Sequence, residues 1–132
     1  MIRPRAAAVV LDGDRVLLIK RHWRGRDYAV LPGGGIEAGE TPEVAALREL
    51  TEETTLTAEI DRLLWTGRHD ERPAWYFLMT AVSGRAELSG QEALANCAEN
   101  SFTLVWATAD QFDDLGLHPP YLRARLADLI GQ

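Results

Sequence analysis

The amino-acid sequence predicts a mixed α/β domain, and three observations carry that expectation. Short β-rich runs stand before and after a single capped helical segment that opens at Thr41-Pro42. A second helical pattern follows Pro119-Pro120 near the end of the chain. The resulting order is strands, one helix, more strands and a helix, which differs from a regular βαβ alternation. A length of 132 residues fits one domain spanning 1–132, and a hydrophobic fraction of 46% is enough to build its core.

The elements follow in order. Ala6–Leu11 and Val16–Lys20 are β-rich runs around Asp12-Gly13-Asp14, which predicts a hairpin. His22–Tyr28 is polar with a central glycine and reads as a loop, and Ala29–Leu31 reads as a short strand stopped by Pro32. Gly33-Gly34-Gly35 is then free to take backbone angles closed to other residues. Thr41 supplies a hydroxyl N-cap and Pro42 the first helical position, so the helix is expected to run to about Thr54. Leu56–Arg68 reads as a strand with Arg62 and Gly67 as irregularities, and Trp75–Val82 is a strong strand candidate. Alternation puts Trp75 and Phe77 on one face and Tyr76 on the other. Ser83–Asn100 is expected to form a long loop with a helical turn, in which Asn100 and Ser101 cap or turn. Phe102–Ala107 is a strand, Ala109–Leu115 a short helix, and Tyr121–Ile130 a helix with Leu122, Leu126, Leu129 and Ile130 on one side.

Composition narrows the function. The formal net charge is −6, which disfavours a partner that is a nucleic-acid polymer. An acidic chain also repels small phosphates, a difficulty that a bound divalent cation removes locally. The single cysteine, Cys97, allows no intrachain disulfide. The apolar run Ala6–Leu11 is too short for a signal segment or a membrane span, so a soluble, cytoplasmic protein is expected.

The Thr41–Thr54 helix carries the chemistry. Val44, Thr51, Leu47, Thr54, Leu50 and Ala46 fall on one side of a helical wheel. Arg48, Glu52, Ala45, Glu49 and Glu53 fall on the other. Like charges at this spacing weaken an isolated helix by roughly 0.2–0.5 kcal/mol per pair, and a cation reverses the sign. Clustered carboxylates offer hard oxygen ligands that suit Mg²⁺ or Mn²⁺, and no His/Cys cluster suggests zinc. Ala45 is small and would leave space above the helix for metal and phosphate. A glutamate-rich face is also the ordinary makeup of solvated surface. The glycine segment, the cap and Arg48 tilt the reading towards function.

These residues resemble the Nudix hydrolase signature, which here occupies Gly34–Leu56. The matching positions are Gly34, Glu40, Arg48, Glu49, Leu50, Glu52, Glu53 and Leu56, with Thr55 where the signature has glycine. Pro32-Gly33-Gly34, Trp106 ending a late strand and Leu117-His118-Pro119 also look Nudix-like. The resemblance implies an α/β/α sandwich with a mixed β-sheet. It implies hydrolysis of a nucleoside diphosphate linked to another moiety, such as a nucleoside triphosphate, a nucleotide sugar, ADP-ribose or a dinucleoside polyphosphate. By the same analogy Glu49, Glu52 and Glu53 ligate Mg²⁺, joined by the Gly33 carbonyl. Glu53 or Glu52 polarises the attacking water. Some members take that base from a distant loop, where Glu92 or Glu99 would serve. Arg48 orients a carboxylate, with Glu40 the candidate partner. The resemblance also offers a homodimer, since homodimers are common among similar proteins. A non-catalytic nucleotide-binding module on the same fold is the alternative, and loss of the carboxylates would favour it.

Thr55 poses a question of geometry. A glycine there would end the helix in a left-handed conformation, which costs a β-branched residue about 1–2 kcal/mol. Either the helix ends differently or the chain tolerates the strain. Outside the signature, Trp23 is a candidate for base stacking and Arg24 for phosphate contact, although a surface loop with one aromatic anchor explains both. His22, His69 and His118 are scattered in sequence and read as surface or loop residues rather than catalysts, with approach of one of them to the substrate the alternative.

Overall fold

A computed structural model describes residues 3–89 and 100–131. Within them the strands are β1 (Arg5–Val9), β2 (Leu11–Asp12), β3 (Arg15–Trp23), β4 (Arg26–Val30), β5 (Gly33–Gly35), β6 (Thr57–His69), β7 (Arg72–Ser83) and β8 (Asn100–Ala107). The helices are α1 (Pro42–Thr54), α2 (Phe112–Leu115), which follows a 3₁₀ turn at Ala109–Gln111, and α3 (Leu122–Ile130).

Two sheets carry the strands. The first runs β5-β1-β7-β6 and is mixed, because β1 lies parallel to β7 while its other pairings are antiparallel. The second is antiparallel and is built on β3, which pairs with β2, β4 and β8. Helix α1 covers one side, where Ala45, Ala46 and Leu50 meet Ala6, Ala8, Leu17 and Phe77. Helices α2 and α3 cover the other, where Phe112, Leu122 and Leu126 meet Ala7, Val9, Leu18 and Tyr76. The fold is thus the expected α/β/α sandwich, and Phe77 and Tyr76 lie on opposite faces of β7 as alternation requires.

Several expectations need correction. Ala6–Leu11 and Val16–Lys20 do not form one hairpin. The chain changes sheets at Val10, whose carbonyl accepts from Leu17 N (3.0 Å), and only the two residues of β2 turn back onto β3. The polar stretch His22–Tyr28 is a β-hairpin rather than a loop. Its turn is Arg24-Gly25, both at positive φ (47° and 79°), and Arg21 pairs with Tyr28. Hydropathy concealed it because the hairpin tip is wet on both faces. Gly33-Gly34-Gly35 is an edge strand paired with β1. In β6 the register shifts between Ile60 and Arg62, but Gly67 sits in register opposite Ala74. Asn100 and Ser101 begin β8 rather than capping a turn.

Helix α1 also faces differently from the wheel. Val44 and Thr51 are exposed, whereas Ala45 and Glu53 are buried. The helix is rotated by almost one residue's step of about 100°. Small side chains explain it. Ala45 and Ala46 pack against Ala6 and Ala8, so helix and strand approach closely along that seam. Ala45 therefore leaves no open space above the helix.

The two ends of α1 are held by side chains. At the start, Thr41 Oγ1 accepts from Val44 N (3.1 Å) and Pro42 opens the helix, as expected. At the end Thr55 is left-handed (φ 65°), so the chain tolerates the strain. The segment after β7 satisfies the orphan carbonyls there. Ser89 N donates to Glu53 O (2.9 Å), Glu87 N to Thr54 O (2.9 Å), and the Ser89 hydroxyl to Glu52 O. Thr55 Oγ1 donates to Arg85 O (2.7 Å), which ties the strained residue to the same segment.

Thr55→Ala keeps the left-handed strain and loses that hydrogen bond, whereas Thr55→Gly removes the strain. Urea unfolding is expected to find Thr55→Gly more stable than Thr55→Ala by about 1 kcal/mol. Equal stabilities would show that the helix end stores no strain.

Candidate active site

The site begins where β5 faces α1. Gly34 lies against the Glu49 carboxyl, so closely that a Cβ on Gly34 would stand 2.5 Å from Glu49 Cδ. A Cβ on Gly33 would meet backbone instead, at 2.4 Å from Ala6 O. Gly33 is thus required by the strand pairing and Gly34 by the acid. Glu53 is 5% exposed and accepts from Gly33 N through Oε1 (2.8 Å). A carboxylate is tolerated at that depth because backbone N–H and charge meet it.

Arg48 binds the remaining acids together. Its Nε and Nη2 donate to Glu40 in a two-pronged clamp (2.7 and 2.9 Å). Nη2 also donates to Gly35 O (3.1 Å), and Nη1 to Glu49 Oε1 (3.0 Å) and Glu52 Oε2 (3.2 Å). The Arg48 clamp and the Glu37 N–H hold the Glu40 carboxyl down to about 2. Burial raises the Glu49 carboxyl, and Arg48 opposes it.

The donor set fits a hard divalent cation on this chemistry. Glu49 is a half-buried carboxyl whose burial disfavours the charged form, and a cation beside it reverses that penalty. Among the described residues the trio whose ligand atoms lie within 4.8 Å of one another is His69, Asp70 and His118.

A family model described as the NUDIX domain matches residues 1–129. The chain belongs to the NUDIX family. It is 31% identical over 109 residues to a MutT-like protein of Streptomyces ambofaciens, covering 83% of this chain and 65% of that one. It is 43% identical over 68 residues to an RNA pyrophosphohydrolase of Psychromonas ingrahamii, covering 51% of this chain and 36% of that one. The chain therefore spans less than two thirds of either relative. The crystal structure of a MutT NUDIX hydrolase from Burkholderia pseudomallei superposes with a TM-score of 0.74. That structure is 24% identical, with 96% of this chain and 98% of that one covered, which shows the shared fold.

Other candidates of this NUDIX chain lie elsewhere. Trp23 and Arg24 stand at the tip of the β3–β4 hairpin, where the Arg24 guanidinium lies 4.9 Å from the Trp23 ring. Glu92 and Glu99 lie outside the described residues. The histidines are not all separate, as sequence spacing suggested. His69 and His118 meet edge to face at 5.1 Å, and His118 Nε2 lies 2.7 Å from Asp70 Oδ1. Burial, reinforced by Arg5, lowers His69 to about 4, so its ring is neutral at pH 7.

A cavity of about 210 Å³ beside Glu53 and Gly33 is lined by Arg5, Arg21, Tyr28, His69, Arg72 and Phe102 among others, and of these sequence reading missed Arg5, Arg21, Arg72 and Phe102. Arg5 carried a usable signal: a charge directly abutting an apolar strand run. The others needed the strand register, which sets Arg21 opposite both Tyr28 and Phe102. No helix among the described residues is long and apolar enough to cross a membrane.

The lowered pKa of Glu40 sets a sign. Its contribution to stability is complete above its ordinary value of 4.5 and is lost as pH falls towards about 2. Glu40→Gln is expected to lower the unfolding temperature at neutral pH and to flatten its fall across that acid window. An unchanged acid slope in the variant would remove Glu40 as its source.

Proposed function

We propose that this chain is a Mg²⁺-dependent pyrophosphohydrolase acting on a nucleoside diphosphate linked to another moiety, with Mn²⁺ as a substitute metal. The arrangement that carries the reading is Glu53, buried against the Gly33 N–H, beside Glu49, which is seated over Gly34 and joined to Glu52 and Glu40 through Arg48. Glu49, Glu52, Glu53 and the Gly33 carbonyl would hold the metal. When bound, Mg²⁺ neutralises phosphate oxygens and acidifies a water.

The chain's own residues do the rest. Glu53 takes the proton from the attacking water, with Glu52 the other candidate base. Its backbone anchor holds one oxygen, which restricts how the carboxylate turns. Arg48 and Glu40 are positioning residues, since they fix the acids and the Gly35 carbonyl relative to one another. Gly34 lets the backbone of β5 approach the Glu49 carboxyl. A single cysteine and an acidic composition support a cytoplasmic enzyme that acts on small nucleotides.

A Mg²⁺-supplemented screen of nucleoside triphosphates, nucleotide sugars, ADP-ribose and dinucleoside polyphosphates tests the reading. Wild type is expected to turn over at least one of them. Glu53→Gln keeps an oxygen for Gly33 N–H and is expected to lose about 10²–10⁴-fold in kcat. Silence across the panel would turn the assignment to a non-catalytic binding module. Full activity of Glu53→Gln would move the base elsewhere.

Gly34→Ala separates site from fold. The added methyl displaces the flexible end of Glu49, so circular dichroism should stay native while turnover falls about tenfold or more. Gly33→Ala meets backbone instead and is expected to destabilise the domain by about 1–3 kcal/mol.

A further inference from the structure

His69, Asp70 and His118 lie where the β6–β7 turn meets the segment before α3. Asp70 and His118 stand 48 residues apart in the chain, so the fold alone brings them together. One ligand atom from each of the three falls within 4.8 Å of the others. His118 Nε2 and Asp70 Oδ1 are 2.7 Å apart, and the His69 and His118 rings meet edge to face at 5.1 Å. The trio shares no residue with the carboxylates of α1. His69 alone among its members lines the cavity beside Glu53, and Asp70 and His118 stand outside it.

The backbone holds these donors from both sides. His69 ends β6 in register with Arg72 of β7, and the Tyr121 hydroxyl donates to Arg68 O next to it (2.9 Å). His118 N donates to Ala29 O (2.8 Å), and Leu117 O accepts from Arg123 Nε (2.9 Å). Donors fixed in this way lose little freedom when they close on an ion.

The donor set selects the ion. Two imidazoles and one carboxylate suit Zn²⁺, whereas Mg²⁺ takes oxygen ligands. Zn²⁺ holds nitrogen and oxygen at about 2.0–2.2 Å, which sets tetrahedral donors about 3.3–3.5 Å apart. Closing from 4.8 Å to that spacing is a contraction of at most about 1.5 Å. The Asp70 and His118 side chains are 67% and 34% exposed, so both have room to turn and a fourth position stays open to water. Two features oppose binding. An ion on His118 Nε2 replaces the hydrogen bond to Asp70, and Arg5, Arg26 and Arg72 act on His69 or Asp70 as positive charges. The Asp70 carboxylate offsets part of that repulsion.

We propose that His69, Asp70 and His118 bind one Zn²⁺ at a site separate from the carboxylates of α1, and that the ion staples the β6–β7 turn to the segment before α3. The site does not depend on the hydrolase reading.

Titration calorimetry of Zn²⁺ into metal-stripped protein, in excess Mg²⁺, tests it. The double variant Glu49→Gln with Glu53→Gln weakens the α1 carboxylates as ligands and is expected to keep one Zn²⁺ per chain. Adding His118→Gln, which retains an N–H for Asp70, is expected to weaken that binding about tenfold or more. Absence of Zn²⁺ binding in the double variant, or binding unaltered by His118→Gln, would overturn the site. If the double variant does not fold, thermal unfolding of chains with intact α1 acids decides. Zn²⁺ is expected to raise the unfolding temperature of wild type and to lose that effect in His118→Gln. No rise in wild type, or an equal rise in His118→Gln, overturns the site.

Discussion

The Arg48 guanidinium reaches five oxygens on four residues: both carboxyl oxygens of Glu40, the Gly35 carbonyl, and one oxygen each of Glu49 and Glu52. Each partner belongs to a different constraint. Glu40 lies in the segment between β5 and α1, and Gly35 ends β5 itself. Glu49 and Glu52 are like charges on one helix, which repel until a cation lies between them. One planar group therefore fixes the loop, the edge strand and the acids in a common frame. A lysine carries the same charge but lacks the fork that spans Glu40 while reaching Gly35. The position of β5 then decides where the Gly33 N–H points, and through it the orientation of Glu53.

Depth is set by a second constraint, the alanine seam. Strand β1 is Arg-Ala-Ala-Ala-Val and is buried throughout. Ala6 and Ala8 meet Ala45 and Ala46, and this small contact draws α1 down onto the sheet. A helix seated on leucines would stand further off, and Glu53 would lie at the surface beyond reach of Gly33. The close approach also crowds the C-terminal end of α1. There the segment from Gly84 to Ser89 wraps the last turn and hydrogen-bonds its carbonyls, which explains how Thr55 keeps a left-handed conformation. Function and strain thus share an origin: the helix must sit deep, and the chain that leaves it must turn sharply.

These two constraints also explain what could be read in advance. The capped start at Thr41-Pro42, the end near Thr54, the alternation along β7 and the partnership of Arg48 with Glu40 are local, and period or spacing encodes them directly. The rotation of α1 is not local. A wheel weighs Val44 as apolar and Glu53 as polar, whereas the sheet selects the face that fits, and alanines fit best. The β3–β4 hairpin was hidden because its polar tip belongs to a strand pair exposed to water. The sheet change at Val10 was hidden because a parallel pairing of β1 with β7 joins residues nearly seventy positions apart, as in Ala6 with Trp75. The arginine cavity depended on both: Arg5 comes from one sheet, Arg21 from the other, and neither strand alone shows that they converge.

The charge distribution ties these points together. A net charge of −6 argues against phosphate binding when it is averaged over the chain, yet averaging is the wrong operation for a site of this size. Screening limits exposed charges to about 8–10 Å, so the field that a phosphate meets is set by its immediate wall. Along α1 that wall is carboxylate, which calls for a cation. In the cavity that Glu53 and Gly33 also line, three guanidiniums, those of Arg5, Arg21 and Arg72, make the wall basic. Glu53 stands at the boundary, with Arg5 acting on it from the cavity side and Gly33 N–H anchoring it from the strand. The net charge and the site thus act at different ranges: the −6 of the chain sets the distant field, and the wall beside Glu53 sets the near one.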